Sequence, residues 1–456
     1  MNLGFETCGN ATLIAYDAGI PVLTTDPWLH GAQYFGSWTL PYRFTPAQHA
    51  AFAEVRHVWL SHGHPDHLNL ESLATFRDKT LLVPDHRGNR ILNDLKAAGY
   101  RVQVLANNSW TQLSPKVRVL CCADRNQDAA LLVALGDRCA VLNLNDGTAI
   151  GNRLKLKTHL KSFARRFVLR LLGGGGADMM NYFTEEGQRI EPMPAERTPL
   201  GLAYSRLLRD WDGTHTAPFS CHHAFARTDS RWAADYETPI EAHGRLFKPE
   251  RGEFIPGYFS YDVATDRITA TPMEPVPREF HDPSEFGDDW SEPLAADETR
   301  ALSDYFGKFA HLRQKFQFLN FRVSGRDNFV DLGGPRGRGI TFEAPRHSLM
   351  TAVRYEIFDD LLIGNFVKTV LHGGLRSLYP DFTPYVAKYG DNGRAFSVGE
   401  LHDYFQSYRE QSGFHEWLEF VRVRSTNKVR SALLATLSTT PVLYRTARTA
   451  YRRFIA

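Results

Sequence analysis

Three histidines and an aspartate lie within six positions of the segment LSHGHPDH, residues 60–67. They are His62, His64, Asp66 and His67. Imidazole nitrogens and carboxylate oxygens are ligands that transition metals take in proteins. In a nearly extended backbone, side chains at positions i and i+2 point the same way, about 6–7 Å apart. His62 and His64 can therefore bind one ion, while Asp66 and His67 face differently and can hold a second.

The elements around this segment are predicted to be short strands and helices. An apolar strand at 55–60 runs directly into the histidines, so that they lie at a strand end, where a sheet presents side chains to a cleft. A β-hairpin is predicted at 12–16 and 22–25, because turn residues separate two apolar runs. Further strands are predicted at 80–83, 101–105, 117–121, 130–135 and 140–144, and helices at 70–76 and 89–98. The pattern predicts an α/β (α+β) protein with sheets flanked by helices.

The chain changes character after residue 270. Residues 271–300 contain five prolines and nine acidic residues without a sustained apolar period, which indicates a connector. Beyond it we predict strands at 315–323 and 328–332 and helices at 354–371 and 398–410. The sequence thus predicts three parts, at 1–270, 271–300 and 301–456, of which the last is a smaller α+β region.

Composition limits the classes of function. The 456 residues carry a net charge of +2, so no global field attracts nucleic acid, and no nucleic-acid partner is expected. Five cysteines without a C-x-x-C pair favour a reducing, cytoplasmic setting. The first residues lack a signal-peptide pattern, and no apolar run is long enough to cross a bilayer. We expect a cytoplasmic protein with no transmembrane segment.

His-x-His-x-Asp-His after a buried strand resembles the metallo-β-lactamase superfamily. That resemblance implies an αββα sandwich with one or two metal ions at the sheet edges. Asp26 in LTTDPWL matches an aspartate near the metals that does not bind them directly. Asp146 in AVLNLND matches a bridging aspartate. In APFSCHH, His222 fits the final ligand position better than His223, which is expected to lie behind the ligands.

One ligand of the superfamily is replaced in this sequence. A third histidine for the first ion is normal after the strand at 117–121, but this chain reads CCADRNQDAALLV there. Asp124 occupies the place, Asp128 is a poorer candidate, and an ordinary turn role for Asp124 stays open. The resemblance then implies His62, His64 and Asp124 on one ion, and Asp66, His67 and His222 on the other, bridged by Asp146.

Within the superfamily, the chain looks most like the metal-binding half of CMP-N-acetylneuraminate hydroxylase and its bacterial relatives. The segments TDPWLHG, QYFGSWTLPYR, RLLGGGGADMMNYF and DDLLIGN (359–365) carry this similarity. The hydroxylase has a Rieske centre, and the paired Cys-x-His half-sites that such a cluster requires are missing here. Electrons for oxygen chemistry would have to come from a separate electron-transfer protein.

Two basic stretches raise the question of partners. Residues 153–170 contain seven lysines and arginines and no acidic residue. Among them, Arg165 and Arg166 are candidates for binding an anionic small-molecule substrate, with a solvated surface as the alternative. The basic and apolar tail at 442–455 could lie on an anionic membrane or pack on its own domain.

The resulting hypothesis is a dinuclear metalloenzyme with two divalent ions, for which iron is favoured and zinc is the alternative. With iron it would be an oxygenase, a monooxygenase or hydroxylase, acting on an anionic small molecule. With zinc it would be a hydrolase of a phosphodiester, amide or lactone, because zinc lowers the pKa of a bound water. A metal-binding protein without turnover is the third class.

Overall fold

The computed structural model describes residues 1–173, 179–192, 199–419 and 421. Most of the Gly-rich stretch at 173–176 and all of the basic tail at 442–455 lie outside the described residues. Within the described ranges, no helix is long and apolar enough to cross a membrane.

The strands, in chain order, are β1 (Gly4–Cys8), β2 (Thr12–Asp17), β3 (Ile20–Thr25), β4 (Trp38–Thr39), β5 (Tyr42–Arg43), β6 (His57–Trp59), β7 (Thr80–Pro84), β8 (Arg101–Leu105), β9 (Trp110–Gln112), β10 (Val117–Ala123), β11 (Ala129–Leu135), β12 (Cys139–Asn145), β13 (Arg165–Leu171), β14 (Tyr182–Phe183), β15 (His215–Thr216), β16 (Pro218–Phe219), β17 (Ala224–Phe225), β18 (Glu253–Phe254), β19 (Phe259–Asp262), β20 (Arg267–Ala270), β21 (Glu274–Pro275), β22 (Phe318–Val323), β23 (Arg326–Asp331), β24 (Gly339–Glu343) and β25 (Lys368–Leu371). The α-helices are α1 (Pro46–Glu54), α2 (Leu70–Leu73), α3 (Arg90–Ala97), α4 (Arg153–Lys161), α5 (Leu200–Trp211), α6 (Ala296–Gly307), α7 (Arg346–Tyr355), α8 (Phe358–Ile363) and α9 (Val398–Ser412).

Two large sheets form the first part of the chain. The first runs in the order β20-β19-β1-β2-β3-β6-β7-β8, and the second in the order β18-β15-β13-β12-β11-β10-β9, with β16 also on β13. In each sheet the site-bearing strands belong to a parallel set. The set is β3, β6, β7 and β8 in the first sheet, and β12, β13 and β16 in the second. The carboxyl ends of parallel neighbours open at the same edge of a sheet.

The layers follow from the alternation of apolar residues along each strand. Phe5 and Trp59 of the first sheet and Val141 and Phe167 of the second belong to one buried cluster between the sheets. Helices α1, α2 and α3 cover the outer face of the first sheet, and α4 and α5 cover that of the second. The predicted αββα sandwich is confirmed.

The C-terminal region contains a third sheet, β14-β25-β24-β22-β23. Its core is rich in aromatic side chains, among them Phe306, Phe321, Phe342, Phe358 and Phe382. The strand β14 comes from residues before the connector, so this sheet takes one strand from the first part of the chain. The connector itself contains β21, a short 3₁₀ helix at Pro283–Phe286 and the start of α6.

The prediction of one helix at 354–371 was wrong. Helix α7 ends at Tyr355 because Glu356 has left-handed backbone, with φ of 54°. The next apolar residues form the short helix α8, and Lys368–Leu371 form β25, which pairs with β24. A short apolar run is compatible with either a helix or a strand, and tertiary pairing decides between them.

Candidate metal centre

The predicted ligands follow strands that end at one edge of the two sheets. β3 ends just before Asp26, β6 ends just before the segment 60–67, and β12 ends just before Asp146. β16 ends at Phe219, three residues before His222. Because ligands of open α/β sheets bind beyond the carboxyl ends of the strands, this edge is where a site is expected.

The backbone turns sharply at three of these strand ends. Asp26, Asn145 and Ser220 have φ values of 39°, 51° and 57°. Left-handed backbone is uncommon for residues other than glycine and is concentrated at functional sites. The Asn145 side chain donates hydrogen bonds to Asp26 and, at 2.8 Å, to Ser61 Oγ, and so links the two sheets at this edge.

His62, His64 and Asp146 form the first group of candidate ligands. Their donor atoms all lie within 4.8 Å of one another. His62 Nε2 is 2.8 Å from His64 Nδ1 and 4.0 Å from Asp146 Oδ2. Burial, with the neighbouring imidazoles of His67 and His64, holds the pKa of His62 well below its usual range. His62 is therefore neutral and has a lone pair to offer.

Asp66, His67 and Asp146 form the second group. His67 Nε2 lies 3.2 Å from Asp66 Oδ2 and 3.5 Å from Asp146 Oδ1. It is buried and makes no well-aligned hydrogen bond with either oxygen, as expected of a nitrogen whose partner is a metal ion. Asp146 turns Oδ2 toward His62 and Oδ1 toward His67, so its carboxylate lies between the two groups.

The outer nitrogens of His62 and His67 are held by one hydrogen-bond network. His62 Nδ1 is 2.9 Å from Ser61 Oγ, and His67 Nδ1 is 3.2 Å from Asp26 Oδ2. Ser61 Oγ in turn donates to Asp26 Oδ2 at 2.8 Å. Partners of this kind set the tautomer and orientation of metal-binding imidazoles, and fully buried Asp26 is such a partner for His67.

The groups around Asp66 favour the ionised form of its carboxylate. Asn10 donates to its Oδ2 at 2.8 Å, and the Tyr34 hydroxyl donates to its Oδ1. Burial alone would raise its pKa, but the charge of His67 and the hydrogen bond from Tyr34 lower it to about 2. Neither Asn10 nor Tyr34 was identified from the sequence, since only the fold brings them to Asp66.

The two adjacent histidines after β16 face different surroundings. His222 Nε2 lies 3.3 Å from the carbonyl of Pro218, and its ring packs against Tyr258 at 4.6 Å between centroids. His223 stacks on Trp38 at 3.6 Å, and its buried Nδ1 has no hydrogen-bond partner.

The charged groups that influence the rings of His222 and His223 also differ. Burial lowers the pKa of His223 to about 4, against the opposing charges of Asp66 and Asp146. For His222, burial lowers the pKa to about 3, and neither aspartate is among its influences. The charges of the carboxylates in the second group thus act on His223.

Asp124 is buried beside the loop that follows Asp146. Its Oδ1 accepts a hydrogen bond from the Asn126 amide at 2.8 Å, and its Oδ2 is 3.9 Å from the position of a Cβ on Gly147. Burial, with the nearby charge of Asp128, raises its pKa to about 7. Asp124 thus stabilises a turn and lies next to the loop that follows Asp146. It is not part of the compact group formed by His62, His64 and Asp146.

Arg165 and Arg166 are not brought to this edge. They lie at the start of β13, where Arg165 is in register with Cys139, whereas Asn145 is in register with Arg170. Six residues of strand, about 20 Å, separate them from the end that carries Asp146. Arg165 pairs with Asp266, and Arg166 donates to the carbonyls of Asp212 and Phe163.

Three charged residues of the C-terminal region reach the centre and were not identified as site residues from the sequence. Asp359 and Asp360 on α8 lie near His64, and Lys388 is 3.4 Å from Asp128. Lys388 lies in a π-helical segment, Pro384–Asn392, a geometry frequent at functional sites. The motif DDLLIGN was visible in the sequence, but nothing in it indicated which element it would contact.

No family model matches the chain, and no curated protein matches it by sequence. Among solved structures, CmlA, a diiron beta-hydroxylase from Streptomyces venezuelae, is 13% identical with a TM-score of 0.36, over 59% of this chain and 54% of CmlA. The match thus spans about half the length of CmlA.

Two further solved structures show a similar degree of likeness. The isothiocyanate hydrolase from Delia radicum gut bacteria is 16% identical with a TM-score of 0.32, over 49% of this chain and 86% of that one. YhfI from Bacillus subtilis, a metallo-beta-lactamase fold protein, is 9% identical with a TM-score of 0.31, over 55% and 91%. These scores are low and say nothing about the reaction of this chain.

The evidence for the fold comes from the architecture of this chain and from the sheet edge at which its candidate ligands meet. Two facing sheets with outer helices place the histidine segment after β6 opposite the aspartate after β12. The resemblance to CMP-N-acetylneuraminate hydroxylase in particular stays a prediction. Membership of the metallo-β-lactamase superfamily also stays a prediction, whereas the αββα sandwich that it implies is present in the chain.

Proposed function

We propose that this protein is a dinuclear metalloenzyme that oxidises a small molecule with dioxygen. The observation that carries the proposal is the group of two histidines and one carboxylate whose donor atoms lie within 4.8 Å of one another. Two histidines and a carboxylate with open positions are the ligand set of non-haem iron oxygenases. The first ion would be held by His62, His64 and Asp146, with Asp124 as the further carboxylate predicted from the sequence.

The second ion would be held by Asp66, His67 and His223, with the other oxygen of Asp146. His223 takes the place predicted for His222, because its buried Nδ1 has no hydrogen-bond partner and the charges of Asp66 and Asp146 act on its ring. When bound, two iron ions supply the redox chemistry that dioxygen activation requires.

The protein's own groups set the conditions for that chemistry. Asp26 and Ser61 orient the imidazoles, and Asn10 and Tyr34 orient the Asp66 carboxylate. His62, Asp66 and His67 are at most 3% exposed, so that water is largely excluded and the electrostatic interactions at the centre are strong.

An anionic small molecule is the proposed substrate. A cavity of about 400 Å³ lies beside residues 148–151, which follow Asp146. Its charged lining comprises three arginines and three carboxylates: Arg153, Arg170, Arg206, Asp210, Glu416 and Glu419. Arg153 pairs with Glu419 at 3.6 Å, whereas Arg206 has no ion-pair partner among the described residues. Arg170, which is in register with Asn145 at the edge that carries Asp146, is better placed to bind an anion there than Arg165 and Arg166.

The test is the metal content of protein expressed with both iron and zinc available. We expect about two ions per chain, mostly iron, and oxygen consumption with a supplied reductant. The double variant His62→Ala, His64→Ala should lose one ion. Unchanged metal content in that variant would contradict the ligand assignment.

A zinc-dependent hydrolase is the alternative, and the same measurement decides. Neutral imidazoles with a bridging carboxylate also suit zinc. A protein that contains zinc, consumes no oxygen and hydrolyses a phosphodiester, amide or lactone would replace the oxidative proposal.

Asp124 separates the two proposals further. A carboxylate in place of an imidazole makes the first site harder and better suited to iron. Asp124→His should therefore raise the zinc-to-iron ratio and reduce oxygen consumption, while Asp124→Asn serves as the isosteric control. An unchanged ratio in Asp124→His would leave Asp124 as a turn residue.

A further inference from the structure

The carboxylate of Asp359 lies against the outer face of His64. His64 Nε2 is 3.1 Å from Asp359 Oδ2, across 295 positions of the chain. The side chains are 18% and 10% exposed, so the contact is largely shielded from water. Charged hydrogen bonds of this kind are stronger than neutral ones.

The other nitrogen of the same ring faces the first ligand group. His64 Nδ1 is 2.8 Å from His62 Nε2. A hydrogen on Nε2, donated to Asp359, leaves the lone pair on Nδ1, where an ion between the two histidines would need it. The ring thus has one nitrogen directed to the candidate site and the other bound to a carboxylate.

His62 and His67 follow the same arrangement, with Ser61 and Asp26 as their outer partners. Both of those partners come from the first part of the chain. His64 differs, because its outer partner is supplied by the C-terminal region.

Helix α8 is packed so that Asp359 has little freedom to move. Phe358, Leu361 and Leu362 belong to the core of the C-terminal region. Ile363 packs in a different cluster with Trp28 and other aromatic residues of the first part. The helix is therefore fixed on both sides, and its carboxylate is held at a defined position.

We propose that Asp359 is a positioning residue that fixes the tautomer and orientation of His64, so that the C-terminal region is a structural part of the first metal site. The proposal rests on the metal binding proposed above. Loss of such an outer partner lowers metal affinity by about 10–100-fold. The second ion, whose His67 is held by Asp26, should be affected little.

The experiment is a competition titration of the full-length protein with Co²⁺ against a chromophoric chelator, together with the visible absorption spectrum of the bound Co²⁺. The variants are Asp359→Ala and Asp359→Asn, with Asp304→Ala as control, since Asp304 is an exposed aspartate on α6. We expect Asp359→Ala to weaken one of two Co²⁺ sites by about 10–100-fold and to alter the spectrum of that site only. Asp359→Asn keeps a hydrogen-bond acceptor and should recover part of the affinity.

The outcomes are distinguishable. If both sites of Asp359→Ala bind Co²⁺ with the same affinities as in the parent, the inference is overturned, while the proposed function stays intact. Equal weakening of both sites in Asp359→Asn would also overturn it, because it would point to general structural damage. A parent that binds no Co²⁺ would contradict the proposed function and this inference with it. If Asp359→Ala does not fold, the nearly isosteric Asp359→Asn decides.

Discussion

At the residue scale, the direction of each imidazole is set by the atom behind it. His62 and His67 have oxygen partners on their outer nitrogens, and their inner nitrogens face Asp146. His222 and His223 are adjacent in the sequence, yet the first ring turns to a backbone carbonyl and the second stacks on Trp38. The direction of the backbone after β16 therefore decides which of the two histidines can act as a ligand.

Substitution of these two histidines should have unequal effects. His223→Ala is expected to remove most of the second ion, because its buried Nδ1 has no hydrogen-bond partner. His222→Ala should keep both ions, since Nε2 of His222 faces the Pro218 carbonyl. Elemental analysis of the two variants beside the parent measures this. Loss of the ion in His222→Ala alone would restore His222 as the ligand.

Asp146 should act on both ions at once. Its two oxygens face His62 and His67 respectively, so Asp146→Ala is expected to lose both metals, whereas Asp146→Asn should retain part of the first. Metal content after gel filtration is the measurement. Full occupancy of one ion in Asp146→Ala would exclude the bridging role.

At the element scale, the loop after β7 fits closely against the π-helical segment that carries Lys388. Gly88 in this loop has φ of 92°, and a Cβ there would lie 2.4 Å from the carbonyl oxygen of Asn392. Arg90 strengthens the same junction through a hydrogen bond of 2.7 Å to the Glu356 carbonyl. The junction leaves no room for a side chain.

Gly88→Ala should therefore destabilise the protein by more than backbone strain alone. Left-handed strain and steric overlap together are expected to cost about 2–4 kcal/mol. Gly187→Ala is the matched control: its φ is 79°, but nothing lies within 4 Å of the added Cβ, so strain of about 1 kcal/mol is expected. Urea denaturation of both variants measures the difference in their free energies of unfolding. Equal losses of stability would show that the junction can shift to accommodate the added methyl group.

At the scale of the whole molecule, the C-terminal region is joined to the sandwich through buried polar contacts. Tyr404 and Tyr408 of α9 accept hydrogen bonds from Gln127 at 2.9 and 3.3 Å, and His86 Nδ1 is 3.3 Å from the Tyr408 hydroxyl. His86 is 6% exposed. Burial lowers its pKa to about 4, so it is neutral at pH 7.

Acid should weaken this junction. The unfolded chain takes up a proton on His86 near pH 6.5, whereas the folded chain does so only near pH 4, so stability falls as the pH drops between these values. His86→Gln removes that dependence. Between pH 7 and pH 5 the parent should lose about 2 kcal/mol more than the variant. Urea denaturation at both pH values measures the difference, and parallel losses would contradict the assignment.

The sequence by itself determined the local features. The strand before His62, the hairpin β2–β3 and helix α9 follow from apolar periodicity and turn residues, which act over a few residues of chain. The spacing of His62, His64, Asp66 and His67 likewise predicts metal binding, because neighbouring positions in a strand exit are close in any fold. Asp146 and Asp26 were found through a resemblance whose fold is confirmed.

Only the tertiary structure decided the rest. The contact of Asp359 with His64 joins residues 295 positions apart, and no local pattern specifies such a pairing. The two histidines after β16 have the same chemistry, so only the backbone turn at Ser220 and the packing against Trp38 and Tyr258 distinguish them. Arg165 is near Asp146 in the sequence. Because β13 is parallel to β12 and begins with Arg165, this residue lies at the opposite edge of the sheet. Long-range packing fixes these positions, because strand direction and helix docking depend on contacts that a single sequence does not reveal.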